Sequence, residues 1–265
     1  MATVASIYEY LNQVAPFSIQ MDFDNAGFLV GHANREVKRI LVSLDITKEV
    51  VEEAISCNCQ LIVSHHPVIF HPLKSVTDQT VSGQVIMALV EGGVAAICAH
   101  TNLDAVQGGV NCCLAKTLEL SQITQLHPDG VDDQGQAYGI GRVGIVERDG
   151  MTAQVYAAFV KERLGAASVR YVDGGRLVKK VAVGGGSCGS MLEDVAAMGC
   201  DTFVTADVKY DQFLQAKAMG ISLLDAGHYP TENVVCPQLV ENLSSQFPTV
   251  QVFLSGCHKE VLSGV

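Results

Sequence analysis

The 265-residue chain contains no tryptophan, and aromatic residues make up only 6% of it. Single-stranded nucleic acids are gripped by stacking bases on aromatic faces, so that class of binder has little support here. Basic residues are also scarce: 17 Lys and Arg stand against 28 Asp and Glu, a net charge of −11. An acidic chain repels phosphate backbones, which excludes nucleic-acid binding through a basic face. Charged residues of both signs amount to 17%, below the usual share of about 25%. With 48% hydrophobic residues, the chain is not intrinsically disordered, and it has apolar surface to bury in a large core or against other subunits.

Metal-knuckle and disulfide signatures are missing as well. The nine cysteines are Cys57, Cys59, Cys98, Cys112, Cys113, Cys188, Cys200, Cys236 and Cys257, and no two of them form a CxxC pair. Their number is odd and most sit in apolar runs such as AAICAH, so they read as reduced core residues. The stretch MATVASIYEYLNQ has no basic segment ahead of an apolar block, so no secretory signal is expected. No apolar run reaches the roughly 20 residues a bilayer span needs. The expectation is a cytoplasmic protein without a membrane partner.

Apolar periodicity predicts an α/β fold. Val4, Ile7, Leu11 and Val14 share one face of an opening helix. MDFDNAGFLVG follows as a polar, Gly-punctuated loop. Apolar strands then alternate with helices: KRILVSLD, ITKEVVEEAIS, QLIVSHHP, GQVIMALVEGG, VAAICAH and GGVNCCLAKTLE. Continuous rather than alternating apolar strands indicate parallel strands buried on both faces. Residues 122–141 are polar and rich in Gly and Asp, the best candidate linker. Alternation resumes beyond it, through KKVAVGGG, GSMLEDVAAMG, TFVTAD, VKYDQFLQAKAMG, ISLLDAGHY, a single helix PTENVVCPQLVENLSSQ, and a last strand VQVFLS. The expected organisation is two related α/β lobes with mostly parallel strands. Residues 1–125 with the C-terminal segment form the first, and residues 126–265 the second.

In both halves, successive strands end in polar residues: LVSLD, LIVSHH and ICAHTNLD, then AVGGGS, FVTAD and LLDAGH. Open α/β sheets bind ligands at the carboxyl ends of their strands. His65 and His66 close the second such strand. Adjacent strand residues point to opposite faces, so both rings reach one site only if the chain turns, as Pro67 directly after them suggests; the alternative is a pair of exposed loop histidines. His100 and Asp104 follow the third strand; Asp104 is a hard oxygen ligand or a helix cap. In DAGHYPTE, Pro230 suits a first helical position, which puts His228 just before the helix and Glu232 in its first turn. Four-residue spacing brings the two together, although a first-turn Glu also complements the helix dipole. Three histidines with two carboxylates suit a borderline divalent ion such as Zn, Fe(II) or Mn(II). Five ligands exceed the needs of one open catalytic ion and suit two that share a carboxylate. Gly184, Gly185 and Gly186 before Ser187 form either an anion-cradling turn or a tight packing turn. Asp207, Lys209 and Tyr210, at another strand end, are candidates for touching substrate.

These stretches carry a resemblance. FDNAGFLVG, LIVSHHP, AHTNLDA, VAVGGGSCG, FVTADVKY and DAGHYPTE occur in order across the chain and resemble the Nif-three-like family of dinuclear-metal-centre hexameric proteins, the GTP cyclohydrolase 1 type 2 homologues. The pattern departs at Phe23, Ala206 and Asp211, where the family commonly has Trp, Gly and His. The resemblance implies two related α/β domains facing each other across the metals, a toroidal homohexamer, and two divalent ions per subunit held by His65, His66, Asp104, His228 and Glu232. It also implies a hydrolase that activates a metal-bound water against a small-molecule, nucleotide-like substrate. His100, with an unperturbed pKa near working pH, is the candidate proton shuttle. Substrate contacts fall to Gly185, Gly186, Ser187, Asp207, Lys209 and Tyr210. A metal-dependent phosphoesterase is the competing chemistry, and a metal-binding regulatory or scaffold protein without turnover the competing class.

Overall fold

The computed structural model describes residues 1–133 and 135–263. Four of its helices start behind a threonine whose hydroxyl accepts the amide hydrogen of the third helical residue: α1 (Val4–Val14) behind Thr3, α2 (Lys48–Ser56) behind Thr47, α3 (Val81–Glu91) behind Thr80 and α6 (Ala153–Leu164) behind Thr152. Before α3 the chain forms strands β1 (Gly27–Val30), β2 (Arg39–Ser43) and β3 (Leu61–Ser64). Between α3 and α6 come β4 (Ala95–Cys98), α4 (Thr101–Ala105), α5 (Val110–Thr117), β5 (Ser121–Gln125), β6 (Gly130–Val131), β7 (Ala137–Tyr138) and β8 (Arg142–Ile145). Then follow β9 (Arg170–Val172), β10 (Lys180–Val183), α7 (Leu192–Ala197), β11 (Thr202–Thr205), α8 (Tyr210–Ala218), β12 (Ser222–Asp225), α9 (His228–Glu232), α10 (Val235–Gln246) and β13 (Gln251–Leu254).

The fold is mixed α/β, in two compact units: Met1–Leu103 with Cys236–Lys259, and Asp104–Val235 with the chain from Glu260 on. The division falls at Asp104, inside α4, and not near residue 125. The first unit holds a five-stranded sheet, β1-β4-β3-β2-β13, in which every neighbour pair is parallel except β1–β4. β3 and β4 are buried along their whole length, as continuous apolar strands between two helical layers must be. The second unit holds a six-stranded sheet, β5-β8-β10-β11-β12-β9, parallel through β10, β11 and β12 and antiparallel at β5, β8 and β9. Its core packs Tyr156 and Val160 of α6 with Val181, Val204 and Leu224.

Three expectations need correction. Residues 122–141 are not a linker: β5 pairs with β8 at the sheet edge, and β6 with β7 forms a small hairpin. The polar composition reflects an edge strand with alternating exposure. The loop predicted over MDFDNAGFLVG ends in strand β1, which adds antiparallel to β4. The last helix is two, α9 and α10. No helix among the described residues is long and apolar enough to cross a membrane.

All nine cysteines are free thiols. Burial pushes Cys59, Cys113 and Cys200 up to about 11 and Cys98 up to about 12. Thiolate is the reactive form, so these groups are inert in the native state. A thiol reagent at pH 8 is expected to modify exposed Cys257 first, and Cys59, Cys98, Cys112, Cys113, Cys200 and Cys236 only on unfolding. Mass spectrometry of the partially labelled protein checks this order; early labelling of Cys98 or Cys236 would contradict the packing.

Candidate metal centre

Strand register assembles the first group. Ser43, Ser64 and Cys98 lie side by side at the carboxyl ends of β2, β3 and β4. The next residues outward are therefore Leu44-Asp45, His65-His66 and Ala99-His100. The strand stops at Ser64, whose hydroxyl donates to the carbonyl of His66 at 2.8 Å and closes the turn that lets both rings face one way. The rings of His65, His66 and His100 have centroids 5.0 to 5.5 Å apart, and one ring nitrogen from each lies within 4.8 Å of the others.

Each ring is oriented from behind through Nδ1. His65 donates to the carbonyl of Ala99 at 2.8 Å, His66 to Asp45 Oδ1 at 2.7 Å and His100 to Asp24 Oδ1 at 2.7 Å. Carbonyl and carboxylate oxygens only accept, so Nδ1 carries the hydrogen and the neutral ring presents its lone pair at Nε2. This arrangement fixes histidine ligands behind a metal. The two carboxylates stay ionised. Burial works to raise Asp24, but hydrogen bonds from His100 and Thr101 outweigh it and hold the group down at about 2. Burial likewise opposes Asp45, and the imidazoles of His258 and His66 beside it keep it well below the usual carboxylate range.

The second unit gathers its own group. β10, β11 and β12 run in register, so Gly184–Gly186, Ala206-Asp207 and Ala226–His228 emerge together. Gly227 caps α9, in which His228 is the first residue and Glu232 the last, so His228 lies within the helix and not before it. The four-residue spacing acts as expected: His228 Nε2 lies 2.9 Å from Glu232 Oε2. His228 Nδ1 donates to Asp207 Oδ2 at 2.7 Å, the same backing that His66 and His100 receive. Asp104 and Glu232 are both buried and offer oxygens within 4.8 Å of one another.

The glycine turn explains how Glu232 is seated. Gly186 has φ +64°, and a Cβ there would fall 2.1 Å from Glu232 Oε1. The amide of Gly185 donates to Asn111 Oδ1 at 2.9 Å and that of Gly186 to Thr231 Oγ1 at 3.1 Å. Both donors are engaged inside the protein, and the 3₁₀ turn Gly189–Met191 leads from here into the six-residue α7. Gly185 and Gly186 thus pack their backbone closely against the side chain of Glu232. Gly186→Ala is expected to displace Glu232 and lower metal affinity at least 10-fold, through both the clash and the left-handed backbone. Competition against a chromogenic chelator measures it; an unchanged affinity would show that Glu232 is not a ligand.

Of the other predicted residues, Asp207 backs His228, while Ser187, Lys209 and Tyr210 are exposed. His100 joins the ring cluster of His65 and His66. Three supporting residues escape sequence reasoning. Asp45 ends a strand like its neighbours, but nothing local assigns it to His66. Asn111, wholly buried on α5, donates to the carbonyl of Asp104 at 3.0 Å while accepting from Gly185; a polar residue in the run VNCCLA is its only signal. Arg142, also wholly buried, gives its guanidinium to the carbonyls of Ala105, Val106, Gly139 and Gly141 and to the Cys112 sulfur. It thereby clamps the backbone immediately after Asp104.

The profile described as Duf34/NIF3 (NGG1p interacting factor 3) matches residues 2–260. The chain is 31% identical over 249 residues to a Clostridium perfringens protein named GTP cyclohydrolase 1 type 2 homolog, covering 94% of each. It is 33% identical over 235 residues to a Helicobacter pylori protein named GTP cyclohydrolase 1 type 2, covering 88% of each. A solved Bacillus cereus protein related to NIF3 shares the fold, with a TM-score of 0.93, 23% identity, and coverage of 100% of this chain and 99% of that one.

Proposed function

Because the chain belongs to the Duf34/NIF3 family, we propose that it is a hydrolase dependent on two divalent metal ions, held by His65, His66, Asp104, His228 and Glu232. The observation that carries this reading is the shared backing of the four histidines at the strand ends, together with the buried carboxylates beside them. His65, His66 and His228 each commit Nδ1 to an oxygen acceptor, which leaves Nε2 as the ligating atom, and His100 is held the same way with its Nε2 kept for proton exchange. The buried carboxylates Asp104 and Glu232 supply the anionic oxygens, and the mixed N/O set suits Zn, Fe(II) or Mn(II). When bound, such ions act as Lewis acids and lower the pKa of water to near neutrality.

The remaining roles belong to the chain's own groups. His100, its Nδ1 held by Asp24, exchanges a proton at Nε2 with the reacting molecule. Exposed Lys209 and Tyr210, at the start of α8, offer a cation and an aromatic face to a nucleotide-like substrate, with the Ser187 hydroxyl as a further donor. The test is a turnover screen of metal-loaded protein on GTP and on simple phosphoesters. Ring opening of GTP that is lost in His65→Ala supports the reading. Hydrolysis of phosphoesters alone keeps the metal centre and changes the reaction class. No turnover on any substrate at full metal occupancy favours a regulatory or scaffold role.

The protein is further proposed to be a cytoplasmic homohexamer. Phe23, Val81 and Val90 each expose more than half their surface, which self-association would cover. Sedimentation at micromolar concentration is expected to show a particle about six times the 28.2 kDa chain; a monomer at that concentration would contradict it.

A further inference from the structure

The C-terminal turn of the first unit reaches the histidine cluster through one carboxylate. β13 pairs with β2, and beyond it the Ser255 amide donates to the carbonyl of Val42 at 2.8 Å. The chain then folds over Glu53 of α2. That carboxylate accepts from the Ser255 hydroxyl at 2.5 Å, the Gly256 amide at 2.8 Å and the Cys257 thiol at 3.0 Å. The His258 amide donates back to Ser255 Oγ at 3.2 Å, which closes the turn. It delivers the His258 ring, 8% exposed, to Asp45, with Nε2 3.0 Å from Oδ2 and 3.3 Å from the Asp45 amide. The other oxygen of the same carboxylate, Oδ1, accepts from His66 Nδ1.

The need for this second anchor follows from how the two adjacent histidines are held. His65 is wholly buried and bonded to a backbone carbonyl that cannot turn. His66 is 21% exposed and bonded to a side chain that is itself 41% exposed. The carboxylate torsion of Asp is broad and soft, so one hydrogen bond does not fix it, and water competes for the other oxygen. A largely buried imidazole on Oδ2 does fix it. We propose that His258 is a positioning residue for His66: through Asp45 it locks the ring of this metal ligand, so that the C-terminal turn sets metal affinity. The proposal rests on the metal centre proposed above.

Zinc affinity of the full-length chain, measured by competition with a chelator, tests it in His258→Ala and His258→Gln, with thermal unfolding of the metal-free proteins alongside. The Gln amide can place a donor where Nε2 stood. The expected result is a loss of about 10-fold in His258→Ala, the lower end for removing support behind a metal-bound histidine. His258→Gln should recover most of it while the two metal-free variants unfold at the same temperature. Wild-type affinity in His258→Ala overturns the proposal, and so do equal losses in both variants, which mark a purely structural role. If His258→Ala does not fold, His258→Gln decides: near-normal affinity supports positioning, and a 10-fold loss refutes it. Wild-type protein that takes up no zinc overturns the metal centre itself, an outcome distinct from all of these.

Discussion

Glu232→Gln is expected to weaken binding of the second metal ion by at least about 100-fold while leaving the fold intact. Glu232 is buried, packs on Gly186, contacts His228 Nε2 at 2.9 Å and lies within 4.8 Å of Asp104. Gln matches its shape, so the contact over Gly186 survives and only the charge is lost. Two unit charges 4 Å apart interact by about 4 kcal/mol at an effective dielectric of 20, and divalent ions multiply the effect. Neighbouring cations therefore depend on the anions between them, and the ion bound last suffers most. Metal-free Glu232→Gln should unfold close to the wild-type temperature, because the lost pairing with His228 is offset by relief of a carboxylate buried beside Asp104. Ser64→Ala is the control: its hydroxyl supports the His66 carbonyl, and its loss costs no more than about 10-fold in affinity. Calorimetric titration of the metal-free variants reads both. Two ions bound to Glu232→Gln at wild-type affinity would reduce Glu232 to the last residue of a short helix.

Arg142→Met should produce the largest loss of stability, with the site failing as a consequence. The guanidinium makes five contacts inside the protein. Each of its four carbonyl partners also accepts from a second donor: Gly139 for Ala105, Gly109 for Val106, Gln125 for Gly139 and Leu126 for Gly141. The substitution therefore does not orphan four acceptors completely. It removes several charge-assisted hydrogen bonds, each worth about 1.5–3 kcal/mol, against which the relief of a buried cation counts. The net expectation is about 3 kcal/mol, or roughly 10 °C in unfolding temperature for a unit of this size. Lys reaches one or two of the acceptors and cannot span the fork, so Arg142→Lys recovers less than half. Loss of the clamp on Ala105 and Val106 also frees the backbone beside Asp104, so metal affinity should fall even at temperatures where the variant is folded. Scanning calorimetry with and without metal separates the two effects; a shift below 2 °C would show that packing alone carries this corner.

Most of the architecture was legible because continuous apolar strands and polar strand ends are local signals. LIVSHH, ICAHTNLD and LLDAGH each place their histidine within three residues of a strand end, so the ligand candidates could be read directly. What was hidden depends on contacts between distant segments. The edge strand β5 pairs with β8 and lays one face, with Ile123, against the core, so its alternating exposure depends on segments distant in sequence. Asp24 and His100 are 76 residues apart, and Asp45 and His258 are 213 apart; no spacing rule connects either pair. The glycine turn illustrates a different limit. Three consecutive glycines announce close approach, and the sequence does not say whether an anion or the chain's own carboxylate approaches. Here it is Glu232.

Counting bound ions tests the proposed two-metal centre most directly. Metal-free protein dialysed to equilibrium against Zn or Mn(II), freed of excess and analysed for metal per chain, should retain two ions. Glu232→Gln under the same conditions should retain one or fewer. One ion or none in the wild type would contradict the dinuclear centre.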